Sequence, residues 1–324
     1  MKNNYFENIN VSKNIDSAIE KGINQACREK RRRKLKKYMV ASVVALVIVG
    51  STTVFNKDVF ANAKNIFYDI ASYLGIESDI SNYKTIINKS ITNSGYTIKL
   101  NEVVLDKNEL TVSSVIKSED NPFEGFPSVV EALYINGERL YVNSNASSEN
   151  KDDYTLNQVT TYFLDENIEG DVDIKIEYSG IQLLNDTGSK NIDGEWIFDF
   201  KTNTDELIKD TVSIDLNKKF KFKNGESIKL KKYVSNGLGQ KIEFEESKNG
   251  INYDMKIIGK DNLGNNIELY IPNRSDGKGV FKLDNSKGSI DPKANTLTLS
   301  LQGRESNEDS WVKVGSDFNV KLLK

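Results

Sequence analysis

Histidine is absent from this 324-residue chain, and cysteine occurs once, as Cys27. Without histidine there is no Ser-His-Asp or Cys-His catalytic set, no histidine-ligated zinc and no imidazole pH switch. With a single cysteine no disulfide closes within the chain, so any part outside the cell stands on its hydrophobic core alone. Proline is scarce too. Pro122, Pro127, Pro272 and Pro292 all fall in expected loops or at strand ends, which leaves the extended segments free of the residue that interrupts a ladder.

Long hydrophobic runs are also missing, with one exception. Residues 38–56, YMVASVVALVIVGSTTVFN, carry no charge. At a helical rise this stretch is roughly 28 Å long, close to the thickness of a bilayer core. Residues 28–37, REKRRRKLKK, hold eight basic side chains in ten, whereas the fifteen residues after the span hold only Lys57 and Lys64. The positive-inside rule then places the N-terminus in the cytoplasm and the C-terminal part outside, on a single crossing of the cell membrane. The competing reading is a cleaved secretory signal, with Ala61-Asn62-Ala63 as the cleavage site. Against it stand the 37 residues before the span, too many for a leader and patterned as a helix.

Charge is divided along the chain. Residues 1–37 contain eleven basic and four acidic side chains, net +7, which leaves −10 for the rest of a chain whose total is −3. A basic inner segment suits anionic lipid headgroups. It has no room for a nucleic-acid recognition fold, so direct nucleic-acid binding is not expected.

Within that segment Ser12 is placed to cap a helix. Val11, Ile15, Ile19, Ile23 and Cys27 recur every fourth residue, with Ala18, Gly22 and Ala26 beside them. The stripe has nothing apolar nearby to cover it. Its small residues admit a partner's helix at close range; the alternative is a helix lying on the inner leaflet. The candidate partner-binding residues are Ile15, Ala18, Ile19, Gly22, Ile23 and Ala26.

After the span, Phe60, Ala63, Ile66, Phe67, Ile70, Ala71 and Leu74 keep helical spacing, and Gly75 is placed to end that helix. It is either a stalk docked on the first outer domain or a core helix of that domain. From residue 82 the period changes to two. Strands are expected over residues 83–92, 96–106, 109–117, 129–136, 155–164, 172–178 and 195–201. After a polar break at 202–210 they resume over 211–222, 227–234, 241–246, 251–258, 267–271, 279–283, 296–302 and 311–323. Asn136-Gly137 and Asp106-Lys107-Asn108 read as hairpin turns, and the polar runs 121–127 and 143–153 as loops. The first set contains GYTIKL from Gly95 and the second GESIKL from Gly225, and Trp196 and Trp311 fall in the last expected strand of each. That echo suggests two related sandwich domains.

Catalytic and ligand motifs are nearly absent. Glu119-Asp120, Asp152-Asp153 and Glu245-Glu246 are adjacent acids, and neighbours along a strand point to opposite faces. Residues 284–288 faintly resemble a calcium loop, but Asn295 stands where the closing glutamate belongs. There is no phosphate loop and no G-x-S-x-G. An enzyme is not expected, and no cofactor or metal is implied.

The order of parts resembles a family. An NIDSAIEKGINQA helix, a basic block, one apolar span, NIFYDIASYLG and then NSGYTIKLNEVVLDKNELTVSSVIKS are similar to the anti-sigma factors of low-GC Gram-positive bacteria. These are single-pass membrane regulators of extracytoplasmic-function sigma factors, with a domain of unknown function and an Ig-like outer region. The resemblance implies a mainly β chain divided into a cytoplasmic helical arm (1–37), a transmembrane helix (38–56), a helical stalk (57–81) and two antiparallel Ig-like β-sandwich domains (82–205 and 206–324). It implies a sigma factor bound by the inner helix, an unknown extracellular ligand sensed outside, and an intramembrane or extracellular protease acting near the span. The zinc-binding His and Cys set of the best-known anti-sigma domains is missing. The alternative is a membrane-anchored adhesion or wall-binding protein with no transcriptional role.

Overall fold

Alternating β-branched and polar residues build two antiparallel β units, each around its own core. The computed structural model describes residues 69–186, 188–247, 251–305 and 308–322. The basic block, the apolar run, the helix expected to carry Ile15 to Ala26 and residues 57–68 of the expected stalk lie outside the described residues. Among the described residues no helix is long and apolar enough to cross a membrane.

In the first unit β1 (Lys84–Asn93), β2 (Tyr96–Asp106) and β3 (Glu109–Ser118) form a meander. It is extended by β7 (Thr155–Phe163) and by the edge strand β6 (Asn143–Asp152), giving the order β1-β2-β3-β7-β6. The facing sheet contains β4 (Phe126–Ile135), β5 (Glu138–Leu140), β8 (Asp171–Asn185) and β9 (Gly188–Asn203), ordered β5-β4-β8-β9. Ile98, Leu100, Val112 and Leu156 from one sheet meet Ile174, Ile176, Trp196 and Phe198 from the other. Asn136 and Gly137, at φ 51° and 79°, close the β4–β5 hairpin between Ile135 and Glu138, a pair of positive φ values that the Asn-Gly dipeptide tolerates.

The second unit contains β10 (Val212–Lys221), β11 (Ser227–Asn236), β12 (Gly239–Glu246), β13 (Tyr253–Asp261), β14 (Asn266–Tyr270) and β15 (Arg274–Ser275). It continues with β16 (Lys278–Leu283), β17 (Thr296–Glu305), β18 (Val312–Lys313) and β19 (Phe318–Lys321). Its ladder is continuous, β10-β11-β12-β16-β14-β13-β17-β18, with β15 on β16 and β19 on β17. The β14–β16 link rests on only two pairs, Leu269 with Leu283 and Tyr270 with Lys282. Separated at that link, the unit divides into β10-β11-β12-β16-β15 and a second group centred on β13 and β17. The strand order of the first unit is thereby repeated.

Two irregularities recur at matching places. The β1–β2 register shifts between Ile86 and Lys89 around Asn88 at φ 47°, and the β10–β11 register shifts between Asp215 and Lys218 around Asn217 at φ 49°. The β2–β3 register shifts between Leu100 and Glu102, and the β11–β12 register between Leu230 and Lys232. Bulges bend and twist a strand at a fixed point, and Asn is among the few residues that accept a left-handed backbone. GYTIKL and GESIKL lead into the equivalent strands β2 and β11.

Four expectations need correction. Residues 143–152 form a strand, β6, with an exposed pattern; an edge strand with neither face on the core has no apolar alternation to betray it. The expected strand 311–323 is two short strands, β18 and β19, with Gly315 between them at φ 70°. Trp196 lies in β9, fully buried, and its indole N–H donates to Tyr96 O at 3.1 Å. Trp311 is no counterpart: it precedes β18, half-buried, with Lys256 Nζ and the Arg304 guanidinium each 4.9 Å from its ring. Finally, β2 pairs with its successor β3, whereas the second strand of an immunoglobulin sheet pairs with the fifth. The units are antiparallel but do not follow the Ig-like order.

Candidate functional site at the joint between the two β units

Both β units belong to one compact body, and a short helix, α1 (Ile70–Leu74), is fixed where they meet. Five residues are too few to hold a helix in water, so its ends are fastened. Asp69 caps the start, its Oδ1 accepting from Ala71 N–H at 3.0 Å. Gly75, at φ 65°, ends it in the left-handed conformation, as its sequence position implies.

The first unit grips the start of α1. The Ile70 N–H donates to Glu102 Oε1 at 3.0 Å, and Lys84 Nζ lies 3.1 Å from Glu102 and 3.2 Å from Asp69. Burial raises the Glu102 carboxyl above its ordinary range, outweighing the Ile70 N–H and the Lys84 ammonium. Burial pushes Asp69 the same way, but hydrogen bonds with Glu102, Ala71 N–H and Lys84 outweigh it and hold Asp69 below its ordinary range. The second unit grips the other end: Asn285 Nδ2 donates to Leu74 O at 2.9 Å. Beneath the helix, fully buried Ile70 packs with Val104 of β2 and with Leu238 of the β11–β12 turn. Asp69 to Gly75 therefore bridges both units.

Electrostatics define the joint itself. Asp106 and Glu109 are cross-strand neighbours in the first unit, and Lys241 and Lys282 are cross-strand neighbours in the second. Like charges opposite one another destabilise a sheet. The joint offsets both repulsions at once, because Lys241 Nζ meets Asp106 Oδ2 at 2.8 Å and Lys282 meets Glu109. Burial works against the Lys241 charge, yet Glu109 and Asp106 outweigh it and hold the ammonium above the ordinary lysine range. Asn145 Nδ2 donates to Pro272 O at 2.7 Å, the Tyr83 hydroxyl binds Asp210, and the Tyr83 ring lies where a Cβ on Gly237 would stand. Beside these contacts is a cavity of about 450 Å³, walled by Ser72 to Gly75 and by both units.

Ile15, Ala18, Ile19, Gly22, Ile23 and Ala26 lie outside the described residues. Of the adjacent acids, Glu245 pairs with Lys231, Glu246 with Arg274 and Glu119 with Lys117. Residues 284–288 form a turn in which Asp284 Oδ1 accepts from Ser286 N–H at 3.1 Å. Sequence reasoning missed Glu102, Glu109, Lys241 and Lys282. Their only signal was a charge inside a strand that otherwise reads as apolar, and which charges face each other depends on how the units dock.

The fold defines a mainly β protein of two antiparallel units bridged by a short helix. Residues 30–118 match the family described as "Domain of unknown function (DUF4179)". The matched stretch ends with the last residue of β3, so it includes α1 and the meander that grips it. No curated protein matches the chain. Among solved structures, the crystal structure of a conserved domain protein from Bacillus anthracis is similar, with a TM-score of 0.58 and 16% identity, covering 79% of this chain and 99% of that chain. The likeness shows the fold, over a share larger than either β unit alone supplies.

Proposed function

We propose that this chain is a membrane-anchored anti-sigma factor. In this reading residues 38–56 cross the cell membrane once, the N-terminus is cytoplasmic and the two β units are extracellular. The inner helix holds an extracytoplasmic-function sigma factor through Ile15, Ala18, Ile19, Gly22, Ile23 and Ala26, and its basic flank rests on lipid headgroups. The outer units sense an envelope ligand, and cleavage beside the span near Ala63 releases the sigma factor. The order of segments, a patterned inner helix, a basic block, one apolar run and then strands, supports this reading.

One observation carries the sensing half. The helix that follows the expected span in sequence is held at its start by Lys84 and Glu102 of one unit and at its end by Asn285 of the other. Any change in the angle between the units must therefore pull on α1.

The sigma-factor half is tested with the full-length chain in detergent, used to capture sigma factors from a lysate of its own host. Wild type is expected to retain one, and the Ile15→Asp/Ile19→Asp variant to lose it. Retention by neither form would sink the reading. If wall material were retained instead, the adhesion alternative would take its place.

A further inference from the structure

The sheet that contains β2, β3 and β7 is buried on both of its faces along those strands. An antiparallel sheet commonly turns one face to water and alternates accordingly, as β8 does. In β2, β3 and β7 nearly every residue is buried instead. Leu110, Val112, Ile116 and Leu156 belong to the core of the first unit, so alternation puts Ser113, Val115, Asn157 and Val159 on the opposite face. The register brings these four together: Val115 pairs with Lys99 and Asn157, and Ser113 with Glu102 and Val159. On either side the edge strand β6 is largely exposed, and so is Ile86 of β1. The buried strip is three strands wide.

The described contacts of this face account for one end of the strip. α1 packs on Val104, and the second unit reaches Asp106, Glu109 and Asn145. Val115 and Val159 are buried further along, yet they are in neither core nor in the cluster beneath α1. Asn157 is fully buried as well, and neither its amide nitrogen nor its side-chain oxygen has a hydrogen-bond partner among the described residues. A buried amide without partners is costly. The strip therefore calls for a cover that brings apolar side chains and a polar group.

The chain itself arrives at that place. Its described part begins at Asp69, 3.2 Å from Lys84 Nζ, and the Ile70 N–H donates to Glu102. Lys84 pairs with Val104 and Glu102 with Ser113, so both lie on the face of the strip. Asp69 is extended, at φ −72° and ψ 139°, so α1 begins afresh after it. Residues 57–68, just before, carry Phe60, Ala63, Ile66 and Phe67 at helical spacing, with Asn62 beside the stripe. A helix over these residues would be about 18 Å long and about 10 Å across. The strip from Thr111 to Lys117 is about 20 Å long, and three strands are about 10 Å wide.

We infer that residues 57–68 dock on the outer face of β2, β3 and β7, laying the stripe of Phe60, Ala63, Ile66 and Phe67 on Val115 and Val159 and shielding the expected cleavage site Ala61-Asn62-Ala63. A protease takes its substrate from the opened form, so cleavage follows the population in which the segment has left the sheet. The docking stands on the sheet and the chain entry; its use as a guard over the cleavage site rests on the proposed function.

The test uses full-length protein in detergent, with hydrogen exchange read by mass spectrometry and with thermolysin as the protease. In wild type the amides of residues 60–68 should exchange at least about tenfold more slowly than those of residues 3–10, after correction for intrinsic rates. Val159→Asp puts a charge under the segment, and Phe60→Ser/Phe67→Ser removes its stripe. Each should abolish that protection and admit thermolysin between residues 60 and 67, whereas Leu263→Ser, on the surface of the second unit, should change neither readout. Val115→Asp, on the neighbouring strand, repeats the first change should Val159→Asp disturb the sheet. Absence of protection in wild type, or protection that survives either the charge in the sheet or the loss of the stripe, would overturn the inference. Protection that rises with protein concentration would overturn it too, since a second copy would then be the cover. Sigma-factor capture depends on residues 15–26, so the two readings fail separately.

Discussion

The two β units share a strand order and two bulges yet are finished differently, and the differences show which features the architecture requires. Both need the left-handed Asn that shifts the register of the first hairpin, Asn88 in one and Asn217 in the other. Only the first has a tryptophan in its core. The second fills its interior with Phe222 stacked on Tyr253 and Phe244 against Phe281. The hairpin that closes tightly at Asn136-Gly137 in the first unit is a longer loop in the second. There the Asp261 carboxylate accepts from the N–H groups of Leu263 and Asn265 at 2.9 Å, from Asn265 Nδ2 at 2.8 Å and from Asp291 N–H at 3.1 Å. Core composition and turn chemistry are thus replaceable within this topology, whereas the bulges that bend the meander are retained.

The largest test of that contrast is Trp196→Ala, which empties the centre of the first core and loses the bond to Tyr96. It should cost about 4 kcal/mol, read by urea unfolding. A cost below about 1 kcal/mol would mean that the first unit, like the second, needs no tryptophan.

Next comes the joint. Lys241→Ala leaves Asp106 buried beside Glu109 with no nearby ammonium but Lys282, and should cost about 3 kcal/mol. Calorimetry should then show the two units melting in separate transitions. A single transition at an unchanged midpoint would show that the four charges do not couple the units.

Asp261 gives a pH signature. Burial acts to raise its carboxyl, but the Asn265 side chain and the backbone N–H groups of Asp291, Asn265 and Leu263 outweigh it and bring the pKa to about 2, from an ordinary 3.8. Because the folded value is the lower one, the stabilisation is present above pH 3.8 and is lost as pH falls toward 2. Asp261→Asn should lower stability by about 1.5 kcal/mol at neutral pH and flatten the acid limb of a stability–pH curve. An unaltered acid limb would show that this loop does not depend on the charge.

The smallest expected effect is the most symmetric. Asn88→Ala and Asn217→Ala should each cost about 1 kcal/mol, the penalty for a side chain less tolerant of positive φ, while the glycine variants should be nearly neutral. Unequal costs measured by thermal unfolding would show that one of the two bulges has been relieved by its surroundings.

Much of the β architecture was legible because it is local. Alternation marks a strand wherever one face is on a core, as in β8, β13 and β17, and Asn-Gly specifies its own hairpin. β6 escaped notice because an edge strand off the core carries no alternation, and Trp311 was misplaced because an indole reads the same on a surface as in an interior. The charges of the joint were not legible, since Asp106, Glu109, Lys241 and Lys282 are ordinary strand charges until two units are docked.

By itself the sequence determined the β content, the repeated hairpin entry, the tight turns and the glycine that ends α1, all set by neighbours a few residues apart. Only the tertiary structure decided that two like-charged pairs cancel across the joint and that one short helix is tied to both units. The contacts between the units, and that of α1 with Asn285, join residues more than a hundred positions apart, and their energies depend on distance and burial, which local sequence does not encode.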